Sequence, residues 1–398
     1  MRAFVRSIFA RLMQDSDLVV HVRFADNSEW QSRPGAADVT IIFRTARAQW
    51  RTLVLGYVGF FEAWFEGDVD ILGERASGKI MWIAYRSQFR YASNPILTVM
   101  RRYLEYRNSN RSFAAARANA RRHYGLPHRF FELMLGTDCL YAEAYWTAGN
   151  DDLATAQRAR CDYICRKLRL EPGQRLVEVG SGWGAMAIHA AERYDVDVVV
   201  YGLVPEQNRV AQQRIDQARL GDRVTIVERD HRELAGEPEG YDRYLSVGVY
   251  EHAGPAWQED WIRSIAAGLR PGGIGMISTT SYMHQVATEY LTIKYIFPGG
   301  SVPSLPRALE LLDRHGLHVI EVEELGAHYR RTAEAWLRNF EVHWPEIQAI
   351  DPHRFDEHFR RVWTYYLCGV IEGFRAGGGD LNLHHIVFSK GKSDTPRL

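Results

Sequence analysis

Three glycines at alternate positions mark the segment Val177-Glu178-Val179-Gly180-Ser181-Gly182-Trp183-Gly184-Ala185, which joins an apolar β-like run to a helical stretch. Without a Cβ, Gly180, Gly182 and Gly184 let the backbone turn tightly and approach a bound molecule closely. The helix beyond them offers N–H groups that have no partner inside the helix. Such a turn suits a nucleotide-containing ligand. It is not the dinucleotide fingerprint, because the third glycine is misplaced. In addition, the next strand ends Val200-Tyr201-Gly202-Leu203, without the acidic residue that would hold a ribose.

Positioning that turn requires an alternating architecture, and the sequence supplies one from about residue 130 onward. Candidate strands are Arg175–Val179, Val196–Tyr201, Val224–Glu228, Arg243–Val247, Ile274–Thr279, Val319–Glu324 and His385–Ser389, with helical stretches of ordinary length between them. A doubly wound, Rossmann-like α/β sheet of seven strands is the economical arrangement. Residues 1–122 differ. Short β-like runs such as Val39 to Phe43 mix with the aromatic stretch Phe60, Phe61, Trp64, Phe65, and an arginine-rich helical stretch from Ile96 to Arg122 reads as a connector. The expected division is therefore a smaller mixed domain over 1–122 and a catalytic domain over 123–398.

With 398 residues, 46% of them hydrophobic, the chain can bury a full core, and its formal charge is zero. The charge is unevenly spread: residues 1–130 hold 20 Lys and Arg against 11 Asp and Glu, and the remainder 29 against 38. A basic front can face anionic lipid headgroups or simply be a solvated surface. No apolar run approaches the ~20 residues of a spanning helix. Arg2 to Met13 places Phe4, Val5, Ile8, Phe9, Leu12 and Met13 at helical spacing, either for a membrane interface or for packing on its own domain. Cys139, Cys161, Cys165 and Cys368 have neither disulfide-framework nor zinc-site spacing, so no metal is expected and a reducing cytosol is the simplest home.

Asp230-His231 follows the third strand of the inferred sheet, where methyltransferases commonly meet the adenine amino group. That favours S-adenosylmethionine over a nicotinamide dinucleotide. Several further stretches, in order along nearly the whole chain, then resemble the cyclopropane-fatty-acid synthases. They are His123-Tyr124-Gly125-Leu126, Tyr141 to Trp146, Glu178 to Gly184, Pro205-Glu206-Gln207, Gly248 to Gly254, Lys294 to Gly300 and Trp363 to Leu367. Gly59 to Asp70 resembles a stretch of that family's lipid-engaging N-terminal domain.

The resemblance implies a class I methyltransferase that transfers a methyl group to the double bond of an unsaturated phospholipid acyl chain. It places cofactor contacts on Glu178, Gly180, Gly182, Gly184, Gln207, Asp230 and His231, with Gly202 where a threonine is common. Tyr295 and Phe297 would line the acyl tunnel. The family holds a bicarbonate ion as base with a cysteine, a glutamate, a histidine, an isoleucine and a tyrosine. Here Glu251 and Tyr329 match, but Glu143, Ser278 and Thr280 stand at the cysteine, histidine and isoleucine positions. A second carboxylate would repel bicarbonate and occupy its space. Glu143 is thus the expected base, its pKa raised by burial, with Glu251 or Tyr329 orienting it. A displaced base shifts the expected product from cyclopropane towards a methyl- or methylene-branched unsaturated chain, such as a furan fatty acid precursor.

The partners implied are unsaturated phospholipid in an anionic membrane, at whose cytoplasmic face the protein would sit peripherally. No nucleic acid is expected, and a homodimer is left open. Two rival readings are a methyltransferase for a small soluble acceptor and an inactive lipid- or cofactor-binding protein. Cofactor turnover with dispersed unsaturated phospholipid separates all three.

Overall fold

The computed structural model describes residues 2–87, 94–149, 151–237 and 240–392. Its N-terminal layer runs α1 (Arg2–Leu12), β1 (Val20–Arg23), β2 (Glu29–Gln31), β3 (Val39–Phe43), α2 (Ala46–Leu55), α3 (Tyr57–Phe65), β4 (Val69–Leu72) and α4 (Ala76–Arg86). The four strands form one sheet in the order β2-β1-β3-β4. β3 alternates buried and half-buried side chains, as a strand with one covered face must. α1 packs on its own domain: Val5 and Phe9 are buried, and the Phe9 ring meets Phe43 and Phe60 edge-on.

The connector is two helices rather than one stretch, α5 (Pro95–Arg107) and α6 (Phe113–Tyr124). Asn108 ends the first, and the Ser112 hydroxyl accepts from the Ala115 N–H to start the second. Between them Asn110 Nδ2 donates to the His252 carbonyl at 2.6 Å, which anchors the break to the far side of the molecule. α7 (His128–Leu135) and α8 (Leu153–Lys167) lead into the large sheet.

That sheet and its helices comprise β5 (Arg175–Val179), α9 (Ala185–Tyr194), β6 (Asp197–Tyr201), α10 (Pro205–Gln217), β7 (Val224–Val227), β8 (Tyr241–Val247), α11 (Gln258–Gly268) and β9 (Leu269–Ser281). The chain closes with α12 (Leu305–Arg314), β10 (Leu317–Glu324), α13 (Gly326–Val342), α14 (Trp344–Ile350), α15 (Glu357–Gly373) and β11 (Asn382–Lys390). The strand order is β10-β11-β9-β8-β5-β6-β7. β5 to β9 are parallel neighbours, while β11 runs antiparallel between β9 and β10. All seven expected strands are present, and β9 extends well beyond the expected Ile274–Thr279. Central β5 is covered on both faces: Leu176 packs with Ile164 and Ala187, Val177 and Val179 with Trp261 and Ile265.

The apolar core does not divide at residue 122. One cluster joins Phe9, Phe60 and Phe61 of the N-terminal layer to Phe130 of α7, Trp336 of α13 and Trp363 of α15. Buried Glu62 of α3 reinforces the joint, meeting Arg51 at 2.8 Å as well as Lys294 and the Tyr295 hydroxyl. Among the described residues no helix is long and apolar enough to cross a membrane.

Candidate active site

β5 delivers Glu178 and the glycine turn to the carboxyl edge of the sheet, beside the crossover to β8 where open α/β sheets bind ligands. Gly180 and Gly184 have φ of +80° and +85°. A Cβ on Gly180 would lie 2.6 Å from Val249 Cγ2, and one on Gly184 would lie 3.0 Å from Ala211 Cβ. Gly182, at φ +59°, faces open space, with only Gln207 Nε2 nearby at 3.9 Å. The backbone thus forms one wall of a cavity that Gln207, Gly202, Asp230 and His231 complete. Gly202 stands where a threonine is common in the family, and a Cβ there would lie 2.1 Å from Asn208 Oδ1, so the Asn208 side chain occupies the space a threonine would take.

Polar groups in this cavity await a partner. Ser181 Oγ, Glu178 Oε2 and His231 Nε2 are buried without a hydrogen bond from the protein. Burial raises the Glu178 carboxyl to about 7 and pushes His231 down to about 3, so this imidazole is neutral. His231 lies 3.6 Å from the Trp261 ring, nearly parallel to it. Asp230 caps the turn His231–Gly236 and is gripped by Arg232 through Nε at 2.7 Å and Nη2 at 2.6 Å. Burial opposes its charge, yet the hydrogen bonds and charge of Arg232 outweigh that and hold it below the usual carboxylate range. Orphaned donors and acceptors around a glycine-walled, partly apolar cavity fit a nucleoside ligand such as S-adenosylmethionine.

A second cavity adjoins the first and shares Tyr124, Tyr141, Ala142, Gly248 and His252 with it. Its far walls come from α4, α13 and α15, including Met81, Tyr366 and Phe374. Phe297 lines it, 4.2 Å from the His123 ring. Tyr295 does not. Its hydroxyl turns to Glu62 and its ring packs on Phe65 at 5.4 Å, which makes it part of the joint between layers.

The carboxylates meet in this second cavity, together with Thr280 and Tyr329. Thr280 N–H donates to Glu251 Oε1 at 2.7 Å, while Glu251 Oε2 is buried without a partner. Burial, and secondarily the charge of Glu143, raise the Glu251 carboxyl to about 7. Glu143 behaves in the opposite way to the sequence expectation. Although fully buried, it is held below the usual carboxylate range because His385 Nε2 lies 2.7 Å from its Oε1 and Arg160 adds a favourable charge. Ser278 stands behind it, donating to Glu143 Oε1 at 3.2 Å. Tyr329 packs on Phe374 at 4.9 Å, its phenol pushed well above its ordinary value by burial.

Sequence reasoning gave no role to His385, Arg160, Tyr124, Tyr141, His252 or Tyr366. His384-His385 inside an otherwise apolar strand was the available signal, since a buried imidazole needs a partner. Tyr124 OH lies 3.0 Å from His252 Nε2, and Tyr141 OH donates to Tyr366 OH at 3.3 Å. Burial depresses His252 to about 4 and His123 to about 3. The walls nearest the cofactor cavity are therefore aromatic and uncharged.

Residues 111–386 match the family model described as mycolic acid cyclopropane synthetase. The cyclopropane-fatty-acyl-phospholipid synthase of Escherichia coli K12 is 35% identical over 277 residues, 69% of either chain. A probable fatty acid methyltransferase of Pseudomonas putida is 33% identical over 279 residues, 68% of this chain and 69% of that one. The crystal structure of mycolic acid cyclopropane synthase CmaA1 complexed with SAH and CTAB superposes with a TM-score of 0.63. It is 28% identical and covers 69% of this chain and 98% of that one. On the glycine-walled cavity, the seven-stranded sheet and these matches, the chain belongs to the mycolic acid cyclopropane synthetase family of S-adenosylmethionine-dependent methyltransferases.

Proposed function

We propose that this protein methylates the double bond of an unsaturated phospholipid acyl chain, working peripherally at the cytoplasmic face of an anionic membrane. A protein carboxylate takes the proton, and the product is a methyl- or methylene-branched unsaturated chain of the kind that precedes furan fatty acids. The supporting observation is the shared wall of Tyr124, Tyr141, Ala142, Gly248 and His252 between a nucleoside-sized cavity and a largely apolar one.

Bound S-adenosylmethionine supplies an electrophilic methyl group. Gly180, Gly182 and Gln207 hold the cofactor, and the apolar cavity aligns the alkene, so much of the barrier is met by positioning. With the cofactor held there, methyl transfer to the alkene would leave a cation on the acyl chain. Tyr124, Tyr141, Phe297 and Tyr366 present aromatic faces to that charge and exclude water. Glu251 then accepts a proton through its unpartnered Oε2. Burial chiefly raises Glu251; Glu143, kept ionised by His385, adds its charge to that effect and fills space that a bicarbonate ion would need. Tyr329 orients the carboxylates from the cavity's far side.

Cyclopropane formation remains the second reading, favoured by the retained Glu251 and Tyr329 and by the names of the relatives. Release of S-adenosylhomocysteine on adding unsaturated, but not fully saturated, phospholipid tests the assignment. Equal release with both, or with soluble acceptors alone, would reject it.

A further inference from the structure

α5 is held by one face and bare on the other. Leu104 is buried and Leu97 and Met100 pack against the core, whereas Ile96, Val99, Tyr103 and Tyr106 are 51, 68, 60 and 73% exposed. At 100° per residue those four fall on a single stripe, with Arg102 along one flank and Arg107 along the other. Single exposed apolar side chains are ordinary, but an aligned row of four is not. Arg111 continues the basic flank just beyond the helix. Among the described residues, Arg102 and Arg111 have no ion pair, and Arg107 lies over the Tyr103 ring at 5.9 Å. The one acid of the helix, Glu105, lies away from the stripe and is paired with Arg101 at 3.7 Å.

The flank of α5 away from the stripe faces the site. Arg101 and Glu105 border a cleft together with Thr288, Ser301 and Val302, and these last three also line the cavity that holds Glu251. Met283, 55% exposed, stands on the same loop as Thr288.

We propose that α5 is the helix on which the protein lies against an anionic bilayer. Ile96, Val99, Tyr103 and Tyr106 enter the boundary between headgroups and acyl chains. Arg102, Arg107 and Arg111 meet lipid phosphates. This rests on the phospholipid acceptor proposed above. An apolar stripe with tyrosines and flanking arginines is the pattern of an interfacial helix. A second copy of the chain is a poorer occupant, since a two-fold contact through this stripe would set Arg102 and Arg107 of one copy against those of the other. Arg117, Arg121 and Arg129 contribute less, because they are committed to Glu228, Glu206 and Glu346.

The test uses the full chain with vesicles of unsaturated phosphatidylglycerol and phosphatidylcholine, comparing the native protein with Val99→Glu/Tyr106→Glu and with Arg102→Glu/Arg107→Glu. Both pairs are exposed, so circular dichroism and melting should not change. Flotation should show about tenfold or weaker binding for each variant. Native binding should fall with salt, whose screening length is about 8–10 Å at physiological strength. Turnover of the same lipid dispersed in detergent should be unaffected. Native-like vesicle binding by Val99→Glu/Tyr106→Glu overturns the proposal, as does a sedimentation shift from dimer to monomer in that variant. Stripe-dependent vesicle binding without turnover on either lipid form would support α5 docking and reject the methylation reading instead.

Discussion

Nε2 of His385 lies 2.7 Å from Oε1 of Glu143, deep in the protein, with both side chains almost wholly shielded from solvent. The pairing is set by the sheet: His385 on β11 is in register with Ser278 on β9, and Ser278 donates to the same carboxylate oxygen. A carboxylate so held is committed to its partners. Its neighbour Glu251 has one oxygen unpartnered, and this is why we propose it as the proton acceptor.

Removing His385 should therefore be costly. His385→Ala leaves the buried Glu143 carboxylate with only the Ser278 hydroxyl and the Arg160 charge, and breaking a buried pair costs about 3–5 kcal/mol. Urea unfolding of His385→Ala, Glu143→Leu and the double variant should show strong coupling, the double losing less than the two single losses combined. A loss below about 1 kcal/mol for His385→Ala would mean the pair is not a structural element.

The two carboxylates should also separate in a pH profile. Glu251 works as a carboxylate, and its pKa is raised to about 7, so turnover should fall as pH drops below about 7. Glu251→Gln should lose about two to four decades in kcat, the usual share of general-base catalysis, together with the acidic limb. Glu143→Gln removes a neighbouring negative charge, so the limb should move to lower pH while most activity survives. If instead Glu143→Gln carries the large loss and Glu251→Gln does not, Glu143 is the base.

At the cofactor turn, Gly182→Val should abolish S-adenosylmethionine binding in calorimetry. Valine at φ +59° is strained by roughly 1–2 kcal/mol, and its side chain would enter the space beside Gln207 that the ligand needs. Undiminished affinity would remove the glycine turn from the binding site.

The sheet was legible because strand periodicity and the Gly180–Gly184 turn are local properties of the chain. β5 accordingly begins and ends where the pattern places it. The site was legible in part. Glu251, Thr280, Phe297 and Tyr329 line one cavity, but Tyr295 turns away because Glu62, more than 200 residues earlier, captures its hydroxyl. The ionisation of Glu143 was misread for a similar reason. Burial was foreseeable, but the partner that reverses its effect, His385, is brought by a strand that inserts between β9 and β10 from the end of the fold. The arginines of the connector were visible, yet sequence does not reveal that two of them, Arg117 and Arg121, close onto acids of the catalytic layer.

The central claim is that a protein carboxylate, without bicarbonate, removes the proton after methyl transfer and steers the product away from ring closure. The direct measurement is mass spectrometry and proton NMR of unsaturated phosphatidylglycerol after incubation with trideuteromethyl-labelled S-adenosylmethionine in bicarbonate-free buffer. The predicted product is an acyl chain carrying the labelled carbon as a methyl or methylene branch, with unsaturation retained and no stimulation by added bicarbonate. A cyclopropane as sole product, formed only when bicarbonate is supplied, would contradict the account.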